Sequence, residues 1–415
     1  MKHLLKSTVA LGVLLSAISL NPAQADCGID KGTVSILSDD FDAMHSVANR
    51  AKECASDSVK VTSNQSSEHK SIQVPALSAD PASYTVAIVP NNSLTPLLNE
   101  DLVRPLDELI EKFRPNLQDH QLIRIDGKIM AIAFMVNTQH LWYRKDLLEK
   151  AGLEAPTSYE DILAIAEALR EQGIMEYPLA LNLKPGWDLG TEFLNMYQGF
   201  GGQLFADDSA ETLIDGEQGL QTLAMLKRLS AYMSPDFATF DTNEVTRRWS
   251  AGELAIYNGW SSRPGGIVDP AGNSTPEVIA NSVFTAAPTV NGGSMPASYL
   301  WWVGFTIARN ISDEDAEASF QAMTHAISPE LLDEHAEQAV WLVAGYQPTA
   351  VAAGAFQTVE AGAQPYPMLP YTGLLHTALS DNLSEFLQGE ESAEQALSDV
   401  SRAYRAAATE AGFLK

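Results

Sequence analysis

Four tryptophans occupy positions where a protein chain often meets a ligand. Trp187 follows a Pro-Gly pair, Trp260 follows Asn-Gly, and the pair Trp301-Trp302 precedes a strand-like run. Ligand-contacting residues concentrate at such turns and element ends. A flat indole can cover the C–H face of a sugar while neighbouring amides and carboxylates bond its hydroxyl groups. Each ring could equally be a core residue, so sugar binding and core packing stay open as alternatives at every one of these positions.

Motifs for covalent or metal chemistry do not occur in the sequence. It contains no H-E-x-x-H, G-x-S-x-G, P-loop or G-x-G-x-x-G pattern, and its eight histidines are scattered. A glycosidase needs two facing carboxylates, and the adjacent residues Asp39 and Asp40 would point to opposite sides of an extended chain. We therefore expect no catalytic residues, no metal and no cofactor. An exported carbohydrate-active enzyme is kept as the alternative from another class.

The first 25 residues have the pattern of a secretory signal peptide. Lys2 and Lys6 precede an uncharged apolar run that ends at Leu20, and Ala23-Gln24-Ala25 supplies small residues for cleavage. The apolar run is shorter than the roughly 20 residues of a transmembrane helix. We therefore expect export to the periplasm and a mature chain that begins at residue 26.

Length and charge restrict the architecture and the partners. The chain has 415 residues, with 26 Lys and Arg against 53 Asp and Glu, which gives a net charge of −27. A single core stops growing at about 250–300 residues, so two or more domains are expected. The acidic balance disfavours nucleic acid and anionic membranes as partners, because both would repel the protein.

The two cysteines, Cys27 and Cys54, are expected to form one disulfide, because an even pair in an exported protein is typically oxidised. The rival interpretation is a lipid anchor on Cys27. That modification needs a small residue immediately before the cysteine and an aliphatic residue three positions before it, where this chain has Asp26 and Gln24.

Short apolar strands alternate with longer helical segments, a pattern typical of an α/β fold with mostly parallel sheets flanked by helices. The strand-like runs are Thr33–Ser38, Val59–Thr62, Tyr84–Val89 and Lys128–Met135. Helix starts are marked by capping residues. The predicted N-caps are Thr157, Ser312 and Ser392.

Six sequence blocks, in the same order, resemble the extracellular solute-binding proteins of ABC importers, the family of the maltose-binding protein. The blocks are Asp126–Ile129, Leu141–Leu147 through Gly152, Pro156–Asp161, Gly199–Phe205, Ala251–Ile256 with Gly259-Trp260, and Phe305–Ser312 followed by Ala316–Ser328. The resemblance extends over about residues 33–413, nearly the whole predicted mature chain.

This resemblance implies a periplasmic-binding-protein fold, with two α/β lobes joined by a multi-strand hinge. The N-terminal lobe would comprise residues 26–135 and 287–333, and the C-terminal lobe residues 136–286 and 334–415. A small solute would bind in the cleft, the lobes would close on it, and an ABC transporter permease would receive it. A monomer is expected.

Carried over position by position, the resemblance also implies the ligand contacts. They fall on Asp39, Asp40, Asn91, Asn92, Asn137, Trp187, Trp260, Arg263, Trp301, Trp302 and Tyr346. Asn137 stands where maltose binders carry a glutamate. Arg263, one turn after Trp260, could meet an anionic group. The main interpretation is a mono- or oligosaccharide. The alternative is a non-sugar or anionic solute, such as a glycerophosphodiester or a sulfonated sugar.

Overall fold

The computed structural model describes residues 27–207 and 209–415, so the predicted signal peptide lies outside the described residues. The strands are β1 (Gly32–Ser38), β2 (Val59–Gln65), β3 (Val86–Pro90), β4 (Leu122–Ile125), β5 (Lys128–Asn137), β6 (Gln139–Arg144), β7 (Leu179–Ala180), β8 (Ile256–Trp260), β9 (Ser282–Thr285), β10 (Trp301–Ile307) and β11 (Val340–Trp341). The helices are α1 (Asp42–Lys52), α2 (His69–Ser78), α3 (Asn91–Asn99), α4 (Asp107–Phe113), α5 (Lys145–Ala151), α6 (Tyr159–Glu171), α7 (Trp187–Gly199), α8 (Glu217–Ser230), α9 (Thr242–Ser250), α10 (Pro264–Val268), α11 (Pro276–Asn281), α12 (Asp313–Ala326), α13 (Leu332–His335), α14 (Ala353–Glu360), α15 (Thr372–Asn382), α16 (Ser384–Gln388) and α17 (Ala393–Glu410).

The strands form two sheets, one in each lobe, which confirms the two-lobed α/β class. The larger sheet has the order β11-β5-β10-β3-β1-β2, with β4 also paired to β5, and the smaller has the order β7-β8-β6-β9. The expectation of mostly parallel sheets was wrong. Parallel pairing among the named strands is confined to β1–β2, β1–β3 and β7–β8, while β4, β5, β6, β9, β10 and β11 pair antiparallel.

The antiparallel pairs have a simple cause in the path of the chain. β5 leaves the larger sheet and continues into β6 of the smaller sheet after the single residue Thr138, and β10 later returns in the opposite direction beside β5. A strand that re-enters a sheet from the end where β5 left it runs antiparallel to β5. β4 and β5 form a hairpin whose turn residues Asp126 and Gly127 both have positive φ angles.

The predicted boundaries between the lobes stay a prediction, but strand pairing assigns two segments differently. β5 pairs within the larger sheet as far as Asn137, two residues beyond the predicted boundary at 135. β11 pairs with β5 in the larger sheet, although residues 340–341 were expected in the second lobe. The chain passes between the lobes from β5 to β6 and again from β9 to β10. A third connection follows β11 and leads to α14, which packs against β9.

Each sheet is covered by helices that bury an apolar face. In the first lobe, α1 and α12 pack on the sheet through residues such as Val47 and Phe320. In the second, α7, α8, α15 and α17 surround a core that includes Phe193 and Leu379. Trp301 belongs to this second core although its strand lies in the larger sheet. Its side chain therefore packs the hinge strand onto the second lobe.

Local signals in the sequence explain the ends of several elements. Ser312 and Ser392 cap α12 and α17 by accepting a hydrogen bond from the third helical backbone N–H, as predicted. At α6 the predicted cap was one residue early. Ser158, rather than Thr157, accepts from the Asp161 N–H, and the Asp161 carboxylate reaches back to the Ser158 N–H.

Cys27 and Cys54 are joined by a disulfide that ties the start of the described chain to the segment after α1. His325 lies beside them, but the disulfide leaves neither sulfur free to bind a metal. No helix in the described residues combines the length and the apolar character needed to cross a lipid bilayer.

A substitution at Gly304 tests how closely the hinge strands β5 and β10 approach each other. Gly304 lies beside the β-bulge between β10 and β5, where an added Cβ would come within 2.5 Å of the Ile132 carbonyl oxygen. Backbone atoms cannot move aside cheaply, so we expect Gly304→Ala to cost roughly 1–3 kcal/mol or more in the free energy of unfolding.

Gly373→Ala is the matched control, because its nearest atom, Pro96 Cγ, lies 3.8 Å from the new Cβ. Chemical denaturation should show a large loss for Gly304→Ala and little change for Gly373→Ala. Equal stability of the two variants would contradict the packing described here.

Candidate functional site

A cavity of about 300 Å³ lies where the two lobes meet. Its wall is built from the ends of elements: the segment after β1, the start of α2, the ends of β3, β5 and β8, and the starts of α7, α9 and β10. The polar and aromatic residues that line it are Asp39, Phe41, Ser67, Glu68, His69, Lys70, Ser71, Asn137, Lys184, Trp187, Asp188, Asp241, Thr242, Asn243, Trp260, Ser262, Arg263 and Trp301.

The cavity brings together about half of the residues that the sequence proposed. These are Asp39, Asn137, Trp187, Trp260, Arg263 and Trp301. Six residues separated by as many as 262 positions in the chain therefore share one wall. Their roles as ligand contacts remain predictions.

The other predicted contacts lie elsewhere. Asp40 is exposed, and its Oδ1 lies 2.7 Å from His45 Nε2. Asn91 and Asn92 are buried at the start of α3, where neither side-chain oxygen has a hydrogen-bond partner among the described residues. Trp302 follows Trp301 on a strand and so points to the opposite face, where it packs in another cluster. Tyr346 is half-buried beside the core of the first lobe.

Three of the tryptophans form a compact cluster at one side of the cavity. Trp187 begins α7, Trp260 ends β8, and Trp301 begins β10. The ring centroids of each pair are 5.6–5.9 Å apart, with Trp187 nearly parallel to Trp260 and Trp301 edge-on to both. Edge-to-face and offset arrangements at such distances are favourable for aromatic pairs. The indoles therefore stabilise one another as well as facing the cavity.

A second layer of rings supports this cluster from the C-terminal part of the chain. Tyr366 stacks on Trp301 with 4.2 Å between ring centroids, and His376 stacks on Trp187 at 5.6 Å. Tyr366 Oη and His376 Nδ1 are 3.2 Å apart and form a hydrogen bond. Burial lowers the pKa of His376 to about 4, so the ring is neutral at pH 7. The two supporting rings hold the indoles without adding charge.

Lys70, which the sequence analysis missed, reaches across the cavity from the first lobe. Its ammonium nitrogen lies 3.9 Å from the centroid of the Trp187 ring in the second lobe and 3.9 Å from Asp39 Oδ2. Burial alone would raise the pKa of Asp39, but the neighbouring charges, Lys70 foremost, hold it below its ordinary value. Asp39 is therefore an anion at pH 7. It anchors Lys70 over the indole.

A second contact between the lobes involves Arg263. Its guanidinium lies 4.6 Å from the ring centroid of Phe41, which follows β1 in the first lobe. Among the described residues Arg263 has no ion-pair partner, and its Nε is buried without a hydrogen-bond acceptor. The two cation–π contacts, one from each lobe, connect opposite walls of the cavity.

A further acidic group, Asp188, lies directly after Trp187 and was also missed. Burial raises the pKa of Asp188 to about 6, an effect that Lys70 opposes and Asp241 increases. Thr242 donates a hydrogen bond to its Oδ1 at 3.1 Å. Asp241 itself pairs with Lys184 at 3.1 Å. Asp188 is thus mostly ionised at pH 7 and keeps acceptor capacity for a ligand.

Asn137 joins the cavity to the hinge. Ser261 Oγ donates to its Oδ1 at 2.9 Å, and its Nδ2 donates to Ser262 Oγ at 3.3 Å. The next residue, Thr138, accepts a backbone hydrogen bond from Ser261 and shares a 2.7 Å hydroxyl contact with Ser298. These bonds fix the amide of Asn137 at the floor of the cavity and leave one of its N–H groups for a ligand.

Behind the floor lies a buried polar network centred on Glu192 of α7. Its Oε1 accepts hydrogen bonds from Gln139 Nε2 at 2.7 Å and Asn182 Nδ2 at 2.8 Å. Gln139 also accepts from Asn195, whose own carbonyl accepts from the Tyr299 N–H. The network therefore connects two of the segments that cross between the lobes to the helix that carries Trp187.

Comparison with known proteins identifies the family. The family model described as bacterial extracellular solute-binding protein matches residues 38–331, more than half of the chain. The chain belongs to this family of solute-binding proteins.

Individual relatives are distant in sequence but close in fold. A ribitol-bound ABC transporter solute-binding protein of Agrobacterium radiobacter K84 superposes with a TM-score of 0.79 at 19% identity, over 91% of this chain and 99% of the other. A maltose-bound protein of T. maritima gives 0.78 at 16% identity, over 90% and 99%. The mannitol-binding protein of Pseudomonas aeruginosa is 22% identical over 52% of this chain and 49% of its own length. This chain spans about half the length, or less, of the curated relatives that it matches.

Glu192 yields a prediction about stability and pH. Burial raises the pKa of its carboxyl to about 8, above the 4.5 of an exposed glutamate. The folded state therefore holds a proton that the unfolded state releases, so this group lowers stability as pH rises from about 4.5 to 8.

Glu192→Gln should remove that loss while keeping an oxygen for the Gln139 and Asn182 donors. Relative to the native protein, the variant should gain melting temperature between pH 5 and pH 8.5. A difference that stays constant across this range would contradict a neutral, buried Glu192.

Proposed function

We propose that this protein captures a small polyhydroxylated solute, a sugar or a sugar alcohol, and delivers it to an ABC importer. The observation that carries the proposal is the cavity between the lobes, whose wall combines carboxylates, an amide and basic groups with an aromatic side. Specific ligand sites are typically concave and apolar in part, with a few convergent polar groups. The proposed mechanism is binding in this cleft followed by presentation of the closed form to the permease.

The polar groups suit hydroxyl groups, which both donate and accept hydrogen bonds. Asp39 and Asp188 supply acceptors, and Asn137 and Arg263 supply donors, so a vicinal diol can be bonded from both sides. The cavity volume of about 300 Å³ lies at the small end of the roughly 300–1,000 Å³ range of ligand pockets. A solute of one or two sugar units, or its open-chain alcohol, matches this size.

The relatives support the same class of ligand. Solved structures with this fold hold ribitol, maltose and D-mannitol. A curated relative from Rhizobium meliloti is described as a probable sugar-binding periplasmic protein. We infer from these, together with the predicted signal peptide, that this protein acts in the periplasm as a monomer beside a permease.

An anionic solute is the second candidate, and one observation favours it. Arg263 lines the cavity with no ion-pair partner among the described residues. A carboxylate or sulfonate on a sugar would supply that partner. The ionised Asp39 and Asp188 nearby would repel such a group, so the neutral polyol is the better match.

Calorimetric titration with alditols, aldoses, disaccharides and their uronate or sulfonate derivatives tests the proposal. We expect at least one neutral polyol to bind, and Asp188→Asn to weaken its binding by about tenfold or more through loss of a charged acceptor. Asp381→Asn, an exposed site on α15, should leave the affinity unchanged. Binding of only the anionic derivatives would favour the second candidate. Binding of none, or equal effects of the two variants, would contradict the proposed site.

A further inference from the structure

The cavity offers little open indole face. Trp260 is 5% exposed and Trp301 is 2% exposed. A sugar ring that stacks on an indole must cover one face of it, so that face has to be open. Trp301 already stacks on Tyr366, and Trp260 packs against the other two indoles. Neither ring is therefore placed to receive a pyranose face.

Trp187 is the most exposed of the three indoles, but its face is covered by Lys70. The ammonium nitrogen stands 3.9 Å from the ring centroid, close to the position that a stacked sugar would take. His376 and Trp260 lie nearly parallel to the same ring, with centroids at 5.6 and 5.9 Å. A pyranose could stack on Trp187 only after displacing Lys70.

Displacing Lys70 would break two interactions. Its charge is attracted both by the ring face and by Asp39, and the lysine side chain is only 21% exposed. The wall that remains open is polar, with Asp39, Asn137, Asp188 and Arg263. These groups bond hydroxyls and need no flat partner.

We propose that Lys70 makes the site selective for acyclic polyols over pyranose sugars. An alditol carries a hydroxyl on every carbon and has no ring face to bury, so it is bound by polar groups alone. A pyranose loses the stacking contact that it would otherwise gain, because Lys70 occupies the indole. This inference rests on the proposed function and names the ligand class within it.

Pairs made of an aldose and the alditol formed by its reduction provide the test, because only the aldose closes into a ring. Calorimetric titrations would compare D-mannitol with D-mannose, D-glucitol with D-glucose, and ribitol with D-ribose. In the native protein the best alditol should bind at least about tenfold more tightly than its aldose. Lys70→Ala opens the Trp187 face and should shrink that ratio several-fold. Lys145→Ala removes an exposed lysine that lies outside the cavity, where it pairs with Glu149, and should leave the ratio unchanged.

Each outcome separates the inference from the proposed function. Aldoses that bind as tightly as their alditols would overturn the selectivity while leaving a polyol-binding protein. A ratio that stays the same in Lys70→Ala, or falls equally in Lys145→Ala, would overturn the role of Lys70. If no alditol or sugar binds the native protein, the proposed function itself fails, and the inference fails with it.

Discussion

The floor of the cavity depends on the buried hydrogen bonds of the hinge. Thr138 and Ser298 lie on two of the connections between the lobes, and their hydroxyls are 2.7 Å apart. Ser298 also accepts from the Gln139 N–H, and Gln139 bonds Glu192 on the helix that begins with Trp187. Buried polar groups left unpaired cost about 1–3 kcal/mol each, so this network strongly favours one arrangement of the crossing strands. Asn137 and Trp301, paired across β5 and β10 immediately beside it, are thereby held at the cavity floor.

From this floor the two lobes approach each other through charge and aromatic contacts. Lys70 crosses to Trp187, and Arg263 crosses to Phe41. Both contacts are small compared with a domain core, and each involves a flexible side chain. The hinge therefore sets the geometry, and in the proposed function a solute shifts the balance between open and closed forms against these weak contacts. Lys70 also offsets part of the repulsion that Asp188 experiences from Asp241 and Asp39 in the cavity wall.

The sequence predicted the class of fold, and about half of the contacts that it proposed line the cavity, for identifiable reasons. Trp187, Trp260 and Trp301 stand at element ends, and local turn signals mark such positions. Their mutual packing depends on a long-range fold that no local pattern records, so the sequence could not tell a stacking surface from a self-packed cluster.

Lys70 was missed because its segment carries no aromatic or Gly-Pro signal. It does follow the end of parallel strand β2, and the rule that ligands lie beyond the carboxyl ends of such strands could have found it. The antiparallel hinge strands were missed because an alternating pattern does not show where the chain leaves a sheet and returns.

The central claim is that a solute is enclosed between the lobes in the arrangement described. Small-angle X-ray scattering tests it most directly, because domain closure changes the radius of gyration of the whole molecule. We predict that the scattering profile with a saturating polyol matches the one calculated from this structure, and that the ligand-free protein has a larger radius of gyration. The contradicting result has two parts. The free protein would already match this structure, and a tightly bound ligand would leave the scattering profile unchanged.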